Sequence, residues 1–214
     1  MSQSTETTAR RASKAGRPKG SNKQATLAKI LPAARRIFAE KGYAQTTFKA
    51  VGQAVGVSHA AIYSYFDSKL ALYLATLADT QQLLLPHYTQ SFEQGQSLKQ
   101  RLTLVFAAIA EEHDKDPSIT GFLAAVPIEM RRHRELDALL NGADDPIFAA
   151  MTKLFQAAID SGEIRTGVSA SHLVNALLGG GVGVALFSYG LAMPNLSESM
   201  ALFIDLINGK LFTS

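Results

Sequence analysis

Residues 46–69 read TTFKAVGQAVGVSHAAIYSYFDSK, and this stretch decides the fold of the N-terminal part of the chain. It contains two short segments of helical spacing joined by Gly56 and Val57. Thr47 precedes the first segment and Ser58 precedes the second, and Ser and Thr are favoured helix N-caps. Because the link is too short for an antiparallel pair, we predict a helical corner whose second helix can enter a DNA major groove.

The outer side of this corner carries residues that suit contact with DNA. Four aliphatic side chains are predicted to meet inside the corner: Val51, Val55, Val57 and Ile62. The outward positions are then small or polar, which allows close approach to base edges: Lys49, His59, Ala60 and Ser64. An ordinary helical corner without a DNA contact is the alternative that this pattern alone leaves open.

Charge is distributed unevenly along the 214 residues, although the formal net charge is only +3. Residues 1–70 contain 12 Lys and Arg against three Asp and Glu, whereas residues 71–214 contain nine against 15. A basic head on an acidic body predicts a polyanionic partner at one end, with solvated surface lysines as the alternative. The chain has no cysteine, which excludes disulfides and thiolate metal sites and suits a reducing cytosol.

Residues 1–24 are rich in Ser, Thr, Gly and basic residues and predict a disordered arm. Within the arm, Gly16-Arg17-Pro18 resembles the core of an AT-hook, in which proline keeps the strand extended and Arg17 enters a narrow minor groove. Diffuse attraction to phosphates is the alternative. The arm has no apolar run of the kind found in secretory signals, and we expect a cytoplasmic, nucleoid-associated protein.

The chain from residue 26 onward shows helical periodicity between helix breakers and no run with the period of a strand. We therefore predict an all-α fold of about nine helices. The first helix has an apolar stripe from Leu27 to Phe38, Pro32 inside it predicts a kink or a later start, and Gly42 ends it. The later helices are predicted over residues 48–55, 58–65, 68–86, 97–116, 117–134, 146–162, 169–191 and 195–212.

A set of residues in and around the corner matches the pattern of one family at fixed spacing. These are Ile30, Ala33, Ala34, Ile37, Phe38, Gly42-Tyr43, Thr46-Thr47, Gly56-Val57-Ser58, Ile62-Tyr63-Ser64-Tyr65-Phe66 and Ser68-Lys69. Across residues 26–75 the sequence thereby resembles the tetracycline-repressor (TetR) family. It departs mildly from the family pattern at Val51-Gly52, Ala60 and Leu70. The resemblance implies an N-terminal three-helix DNA-binding domain with a helix-turn-helix and a C-terminal helical domain for ligand binding and dimerisation.

The resemblance also implies three regions and a set of DNA contacts. The regions are the basic arm at residues 1–24, the DNA-binding domain at 25–78 with its motif at 47–66, and the effector-binding and dimerisation domain at 79–214. Phosphate contacts are implied for Thr47, Tyr63, Tyr65 and Lys69, with support from Thr46, Lys49 and the helix end at Ser58. Base-edge contacts are implied for His59, Ala60, Ala61 and Ser64. Packing inside the corner is the alternative for Tyr63.

A homodimer formed through the last two helices, at residues 169–191 and 195–212, follows from the same resemblance. Gly179 and Gly183 lie about one helical turn apart and allow close approach of two helix backbones, with a cavity or a kink as the alternatives. Residues 173–194 carry no charge and are long enough to cross a bilayer. Their five glycines and their polar residues favour a buried helix instead, and we expect no membrane partner.

A small-molecule effector is a further implication of the resemblance, and its pocket is expected to be mainly hydrophobic. The candidate lining residues, each with core packing as the alternative, are Phe106, Phe122, Met130, Phe148, Met151, Phe155, Phe187 and Tyr189. Glu129 and His133, four positions apart on one helix face, would supply a polar contact to the ligand or hold a metal. A surface hydrogen bond between them is the alternative, and we expect no bound metal and no cofactor.

Together these features predict a sequence-specific DNA-binding transcriptional regulator, a repressor that a hydrophobic effector releases from a palindromic operator. An architectural DNA-binding protein without an effector response is the alternative. The sequence has no zincin pair, phosphate-binding loop or nucleophile elbow, and no catalytic residue is assigned. We therefore expect a binding protein and not an enzyme.

Overall fold

The computed structural model describes residues 19–139, 146–165, 167–193 and 195–211. Within those ranges the chain forms nine α-helices and no strand, which confirms the predicted all-α class. The helices are α1 Lys19–Gln45, α2 Phe48–Val55, α3 His59–Tyr63, α4 Lys69–Gln94, α5 Leu98–Lys115, α6 Ser118–Arg132, α7 Pro146–Asp160, α8 Ala170–Gly190 and α9 Leu196–Ile207. A 3-10 helix, Arg134–Leu139, follows α6.

The first helix is longer than predicted. It begins at Lys19, so the prediction of a disordered arm is wrong for residues 19–24, while residues 1–18 lie outside the described residues. Once the buried stripe has formed a helix, each further residue at its N-terminal end gains one backbone hydrogen bond. Polar residues can form this backbone bond as well as apolar ones. Pro32 lies inside the helix without a break, because Ile30, Leu31, Ala33 and Ala34 around it are buried. Gly42 ends the regular helix as predicted, with φ 72° and ψ 176°.

The fourth helix also passes through a proline. It was predicted to stop near Pro86 but continues to Gln94. Leu84, Tyr88 and Ser91 are buried along one face of this helix, and their packing offsets the hydrogen bond that the proline cannot donate. Helix α5 follows the prediction closely, since Ser97 caps it in a capping box with Gln100.

Other helices also end earlier than predicted, among them α7, which ends at Asp160 and not at residue 162. The second helix of the corner ends at Tyr63, two residues early, with Ser64 as its C-cap. Helix α6 ends at Arg132, where the chain tightens into the 3-10 helix. Helix α9 ends at Ile207 and not at residue 212, because Gly209 adopts a left-handed conformation with φ 66°.

The buried side chains form two clusters, here called the N-terminal core and the C-terminal core. The N-terminal core contains Ile30, Ala34, Phe38, Tyr43, Phe48, Val51, Ile62, Phe66, Leu72, Tyr73, Leu77, Phe122 and Leu136 among others. The C-terminal core contains Leu84, Tyr88, Leu102, Val105, Phe106, Met151, Leu154, Phe155, Val174, Ala185, Leu196 and Met200 among others. Helix α4 contributes to both cores, and Leu123 of α6 packs against both.

Candidate nucleic-acid interface

The predicted corner forms through two side-chain caps and a left-handed turn. Thr47 Oγ1 accepts a hydrogen bond from the Ala50 N–H at 3.2 Å, and Ser58 Oγ accepts one from the Ala61 N–H at 3.1 Å. Between them, Gly56 has φ 72° and ψ 30°, which glycine adopts without steric cost. The caps and the turn of the corner therefore follow from local sequence.

Gly52 has a role in this corner that the sequence did not reveal. A Cβ atom at this position would lie 2.8 Å from the Val57 carbonyl oxygen, closer than normal contact allows. The Val57 N–H donates to the Gly52 carbonyl at 2.9 Å, so the turn folds tightly back on α2. The departure from the family pattern at Gly52 thus permits close approach of the turn to the helix.

Most of the predicted DNA-binding side chains are accessible around α2 and α3. Exposed residues are Thr47, Lys49, Ser58, His59, Ala60, Tyr63 and Ser64, and half-buried ones are Ala61, Tyr65 and Lys69. Beneath them Val51 and Ile62 are fully buried, as predicted for the inside of the corner. Val55 and Val57 pack against the same core at its edge. Helix α3 therefore presents small and polar side chains over a rigid apolar base.

Tyr63 combines packing with exposure. Its ring centroid lies 4.6 Å from that of Phe48 and 4.9 Å from that of His59, one helical turn before it. Even so, Tyr63 is 52% exposed. These edge-to-face contacts support the Tyr63 and His59 rings and leave much of the tyrosine accessible.

Lys69 is held at the start of α4 by the end of α1. Its Nζ donates to the Ala44 carbonyl at 3.0 Å and lies 4.5 Å from the centroid of the Tyr43 ring. Burial is the main cause that raises the pKa of the Tyr43 hydroxyl, and the nearby charge of Glu135 raises it further. The Tyr43 ring therefore stays neutral beneath the ammonium group. The ammonium group therefore has a fixed position beside the corner.

The structure corrects the prediction for Thr46 and adds Lys23. Thr46 is only 1% exposed and its hydroxyl donates to the Gly42 carbonyl at 2.8 Å, so it secures the link from α1 to α2 and does not reach the surface. Lys23 lies on the N-terminal extension of α1, with its Nζ 5.6 Å from the Tyr65 ring centroid. Residues 19–24 were predicted to be disordered, so the position of Lys23 beside Tyr65 could not be predicted from the sequence. Arg17 lies outside the described residues.

Known proteins share this corner and this fold. The family model of the bacterial regulatory proteins of the tetR family matches residues 30–76, which hold the corner. UidR, a transcriptional regulator of Escherichia coli K12, is 24% identical over 155 residues that cover 72% of this chain and 77% of UidR. The structure of Salmonella enterica GusR has a TM-score of 0.64 and 26% identity over 87% of this chain and 95% of GusR.

The DNA-reading corner of this chain is that of the TetR family. The crystal structure of the transcriptional regulator FadR from Bacillus subtilis in complex with stearoyl-CoA has the same fold, with a TM-score of 0.68 at 19% identity over 87% of this chain and 100% of FadR. Proteins of this family bind operator DNA, dimerise and bind small molecules. The chain is therefore a transcriptional regulator, and UidR and FadR are described as regulators and not as enzymes.

The candidate effector-binding residues lie in three separate places, and the first is the C-terminal core. Phe106, Met151 and Phe155 are buried there, with Phe148 half-buried at the edge. Phe106 packs its ring edge-on against Phe203, with centroids 5.6 Å apart, and also lies against Gly181 of α8. These side chains belong to one packed apolar core to which α5, α7 and α8 contribute.

The second place is the contact between α1 and α6, and here the prediction is corrected. Phe122 lies in the N-terminal core, with its ring centroid 5.9 Å from that of Phe38 and 5.2 Å from that of Tyr73. Met130 packs against the same core. The spacing along α6 turns these side chains away from Phe106 and Phe155, so they do not line an apolar region with them.

Glu129 and His133 lie at this same contact. The Glu129 carboxylate is 3.1 Å from His133 Nε2 and only 8% of Glu129 is exposed, so the pair is not a simple surface hydrogen bond. The His133 ring centroid lies 5.0 Å from that of Tyr43, and a Cβ atom at Gly42 would lie 2.7 Å from Glu129 Oε1. No group of three or more potential metal-ligating side chains occurs in the described part of the chain. The Glu129–His133 pair therefore belongs to the contact between α6 and α1.

The third place is α8, where two further candidates point in different directions. Phe187 is 70% exposed and contributes to no core. Tyr189 lies across Gly121 of α6, where a Cβ atom would be 2.5 Å from its ring, and burial raises the pKa of its hydroxyl. The prediction that Phe187 lines an enclosed pocket within the protomer is wrong, because the helical period places it outward.

Helices α8 and α9 share an exposed face of apolar side chains. It is formed by Val182, Leu186, Phe187, Leu202 and Leu206, all at least 39% exposed. A Cβ atom on Gly179 or on Gly183 would have no neighbouring atom of the protomer within 4 Å. By length and composition alone, α8 is also the one helix of the described ranges that could cross a membrane, and here it packs against α6, α7 and α9.

Proposed function

We propose that the protein is a dimeric repressor that leaves a palindromic operator when a mainly hydrophobic small molecule binds among its C-terminal helices. The observation that carries the proposal is helix α3, which is capped, exposed and held over a buried apolar base. Membership of a family of cytoplasmic DNA-binding regulators supports action at the chromosome. The division into a DNA-binding part at residues 25–78 and an effector part at 79–214 belongs to this proposal.

The proposed DNA contacts divide into two kinds. Phosphates would be bound by Thr47, Lys49, Ser58, Tyr63, Tyr65 and Lys69, and base edges would be met by His59, Ala60, Ala61 and Ser64. The Ser64 hydroxyl donates to the Ala61 carbonyl at 2.7 Å, which leaves its oxygen free to accept a hydrogen bond from a base. Arg17 would add a contact in the minor groove.

The proposed dimer forms through the exposed face of α8 and α9. An apolar face of this kind is costly in water unless a partner covers it. A two-fold axis through this face would make the contact self-complementary and present two copies of α3 to successive turns of the same side of the duplex. An operator with two inverted half-sites follows from that symmetry.

The proposed effector site is the apolar region around Phe106, Met151 and Phe155. The related FadR structure contains stearoyl-CoA, which makes a long acyl chain the first ligand to test here. Helix α4 runs from the N-terminal core to the C-terminal core, so a ligand that displaces its second half would also move α2 and α3. The size of the response depends on how differently the ligand binds the two arrangements.

Three measurements on the full-length chain test the proposal. Selection from random DNA should yield an inverted repeat, light scattering should give a dimer, and stearoyl-CoA should release the operator while free coenzyme A does not. Leu202→Glu on the α8–α9 face should shift the protein towards a monomer, whereas Leu83→Glu, an exposed leucine on α4, should not. Binding without sequence preference and without release would support the architectural alternative.

A further inference from the structure

The end of α5, the link after it and the first residue of α6 contact helices from two different parts of the molecule. Residues 113–118 read HDKDPS and are here called the α5–α6 junction. The Asp116 carboxylate accepts hydrogen bonds from the Ser118 N–H at 3.1 Å and from the Ser118 hydroxyl at 2.6 Å. These bonds fix the conformation of the junction internally, before any contact with other helices is considered.

Arg35 of α1 reaches this junction from the N-terminal core. Its Nη2 donates to Asp116 Oδ2 at 2.8 Å and its Nε donates to Ser118 Oγ at 3.2 Å. Arg35 is only 4% exposed, and its Nη1 lies 3.8 Å from the Asp79 carboxylate of α4. Because a buried guanidinium is costly without its partners, α1 has one favoured position against the junction.

Asp114 connects the same junction to α9. Its Oδ1 accepts a hydrogen bond from the Leu196 N–H at 2.9 Å, and its Oδ2 accepts one from the Ser197 hydroxyl at 2.5 Å. Asn195, the N-cap residue of α9, makes no side-chain cap bond to the helix, so Asp114 acts as the cap from a distance in sequence. Burial would raise the pKa of the Asp114 carboxyl, but the bonds from Ser197 and Leu196 lower it below its usual value.

Two residues of one short junction therefore bind helices with different proposed tasks. Asp116 binds α1 of the DNA-binding part, and Asp114 binds α9 of the proposed dimer face. Two residues span at most about 7 Å of chain. A rotation of α1 relative to α9 must consequently stretch the junction or break one of the two connections.

We infer that Arg35, Asp116 and Asp114 are positioning residues that set the orientation of the DNA-reading helices relative to the dimer face, and thereby the half-site spacing that the dimer accepts. This inference rests on the proposed two-fold dimer. None of these residues touches DNA in this scheme. They act through the angle at which each copy of α3 meets its half-site.

The test compares operators that differ only in spacing. The full-length protein is titrated with a selected inverted repeat and with versions whose spacer is lengthened or shortened by one and two base pairs. The ratio of Kd values for altered and preferred spacing is the readout, because a general weakening of affinity cancels in it. Arg35→Met should lower this ratio about tenfold, equivalent to about 1.4 kcal/mol of spacing preference.

Further variants separate positioning from folding and from charge. Arg36→Met removes the same charge from an exposed neighbour on α1 and should leave the ratio unchanged. If Arg35→Met does not fold, Arg35→Lys keeps the charge without the planar fork and Asp114→Ala removes the connection to α9; both should lower the ratio. An unchanged ratio in folded Arg35 and Asp114 variants overturns the inference alone. A wild-type monomer, or a wild type indifferent to spacing, overturns the proposed dimer and the inference together.

Discussion

At the scale of single residues, the side chains of the corner stabilise its fold, remain accessible to DNA, or do both. Thr47 and Ser58 use their hydroxyl oxygens as caps, and Thr46 donates its hydroxyl to Gly42. Lys69 and Tyr63 have packing partners for part of the side chain but keep accessible surface. A residue can therefore contribute to the stability of the corner and to DNA binding at once, and only separate measurements divide the two.

Substitutions in the corner should separate phosphate contacts from base contacts. Lys69→Ala and Tyr63→Phe should weaken binding to all sequences alike. Lys69→Ala should also flatten the dependence of log K on log salt by about one unit, because it removes one charged partner of a phosphate. His59→Ala should change the preferred operator base instead, with a cost of about 1–3 kcal/mol at that position. Fluorescence anisotropy across salt concentrations and operator variants measures both effects.

Lys153→Ala, at an exposed position on α7, serves as the control for removal of a charge. It should leave operator affinity and its salt dependence close to those of the wild type. Wild-type binding by all three corner variants would contradict the placement of the DNA contacts on α3 and the start of α4.

His113 gives the protein a predictable response to pH. It is buried and hydrogen-bonds with Thr120. Burial lowers its pKa below 6.5, although Asp114 and Asp116 oppose the shift. Below pH 6.5 the unfolded chain therefore binds a proton that the folded chain excludes, and the free energy of unfolding falls as pH falls.

We expect the melting temperature to fall between about pH 7.5 and about pH 5.5, and to fall less in His113→Gln. The change in melting temperature over that interval is compared, since the substitution also alters stability at every pH. His172→Gln, at an exposed histidine at the start of α8, is the matched control. Identical pH dependences for the wild type and His113→Gln would show that burial of His113 has no such effect.

At the scale of elements, the glycines of α8 have different neighbours according to the helical period. Gly180 lies against Phe203 and Gly181 against Phe106, whereas open space lies beside Gly179 and Gly183. The first pair permits close packing inside the protomer. The second pair leaves room for another helix on the exposed face, and this is the feature that the sequence spacing of Gly179 and Gly183 had suggested.

The pair Gly181→Ala and Gly183→Ala tests this division within one helix. A Cβ atom at Gly181 would lie 2.6 Å from the Phe106 ring, so this variant should lose about 1–2 kcal/mol of stability after the helix propensity gained by alanine is allowed for. Gly183→Ala meets nothing in the protomer and should instead raise the Kd of the proposed dimer. Thermal melts and sedimentation at several concentrations distinguish these outcomes, and equal behaviour of the two variants would contradict them.

At the scale of the whole molecule, positive charge is concentrated around the end that carries the corner. The N-terminal segment before α1 holds four basic residues, Arg10, Arg11, Lys14 and Arg17, and one acidic residue, Glu6. In the proposed function, the charge of this segment would attract the phosphates of the operator.

Deletion of residues 2–18 should lower operator affinity and the steepness of its salt dependence, while the melting temperature stays unchanged. A full-length variant with Gln at the four basic positions separates the effect of charge from the effect of length. Arg17→Ala alone should weaken binding chiefly on operators with A·T-rich flanks, if the arm enters the minor groove. Equal weakening on G·C-rich flanks would leave only diffuse attraction to phosphates.

The sequence by itself determined the features that depend on neighbours along the chain. The all-α class, the caps at Thr47, Ser58 and Ser97, and the left-handed turn at Gly56 follow from periodicity, hydrogen-bonding side chains and the allowed φ of glycine. These effects act within about four residues, so one sequence contains all of the information they need.

Only the tertiary structure decided which buried residues share a core and which helix ends persist. Helix α4 continues past Pro86 because Leu84 and Tyr88 find partners on distant helices. Phe122 joins Phe38 instead of Phe106, and Glu129 meets Gly42, because α6 packs against α1. An apolar period along a helix marks the face that becomes buried, but the partner of that face depends on how all of the helices pack together.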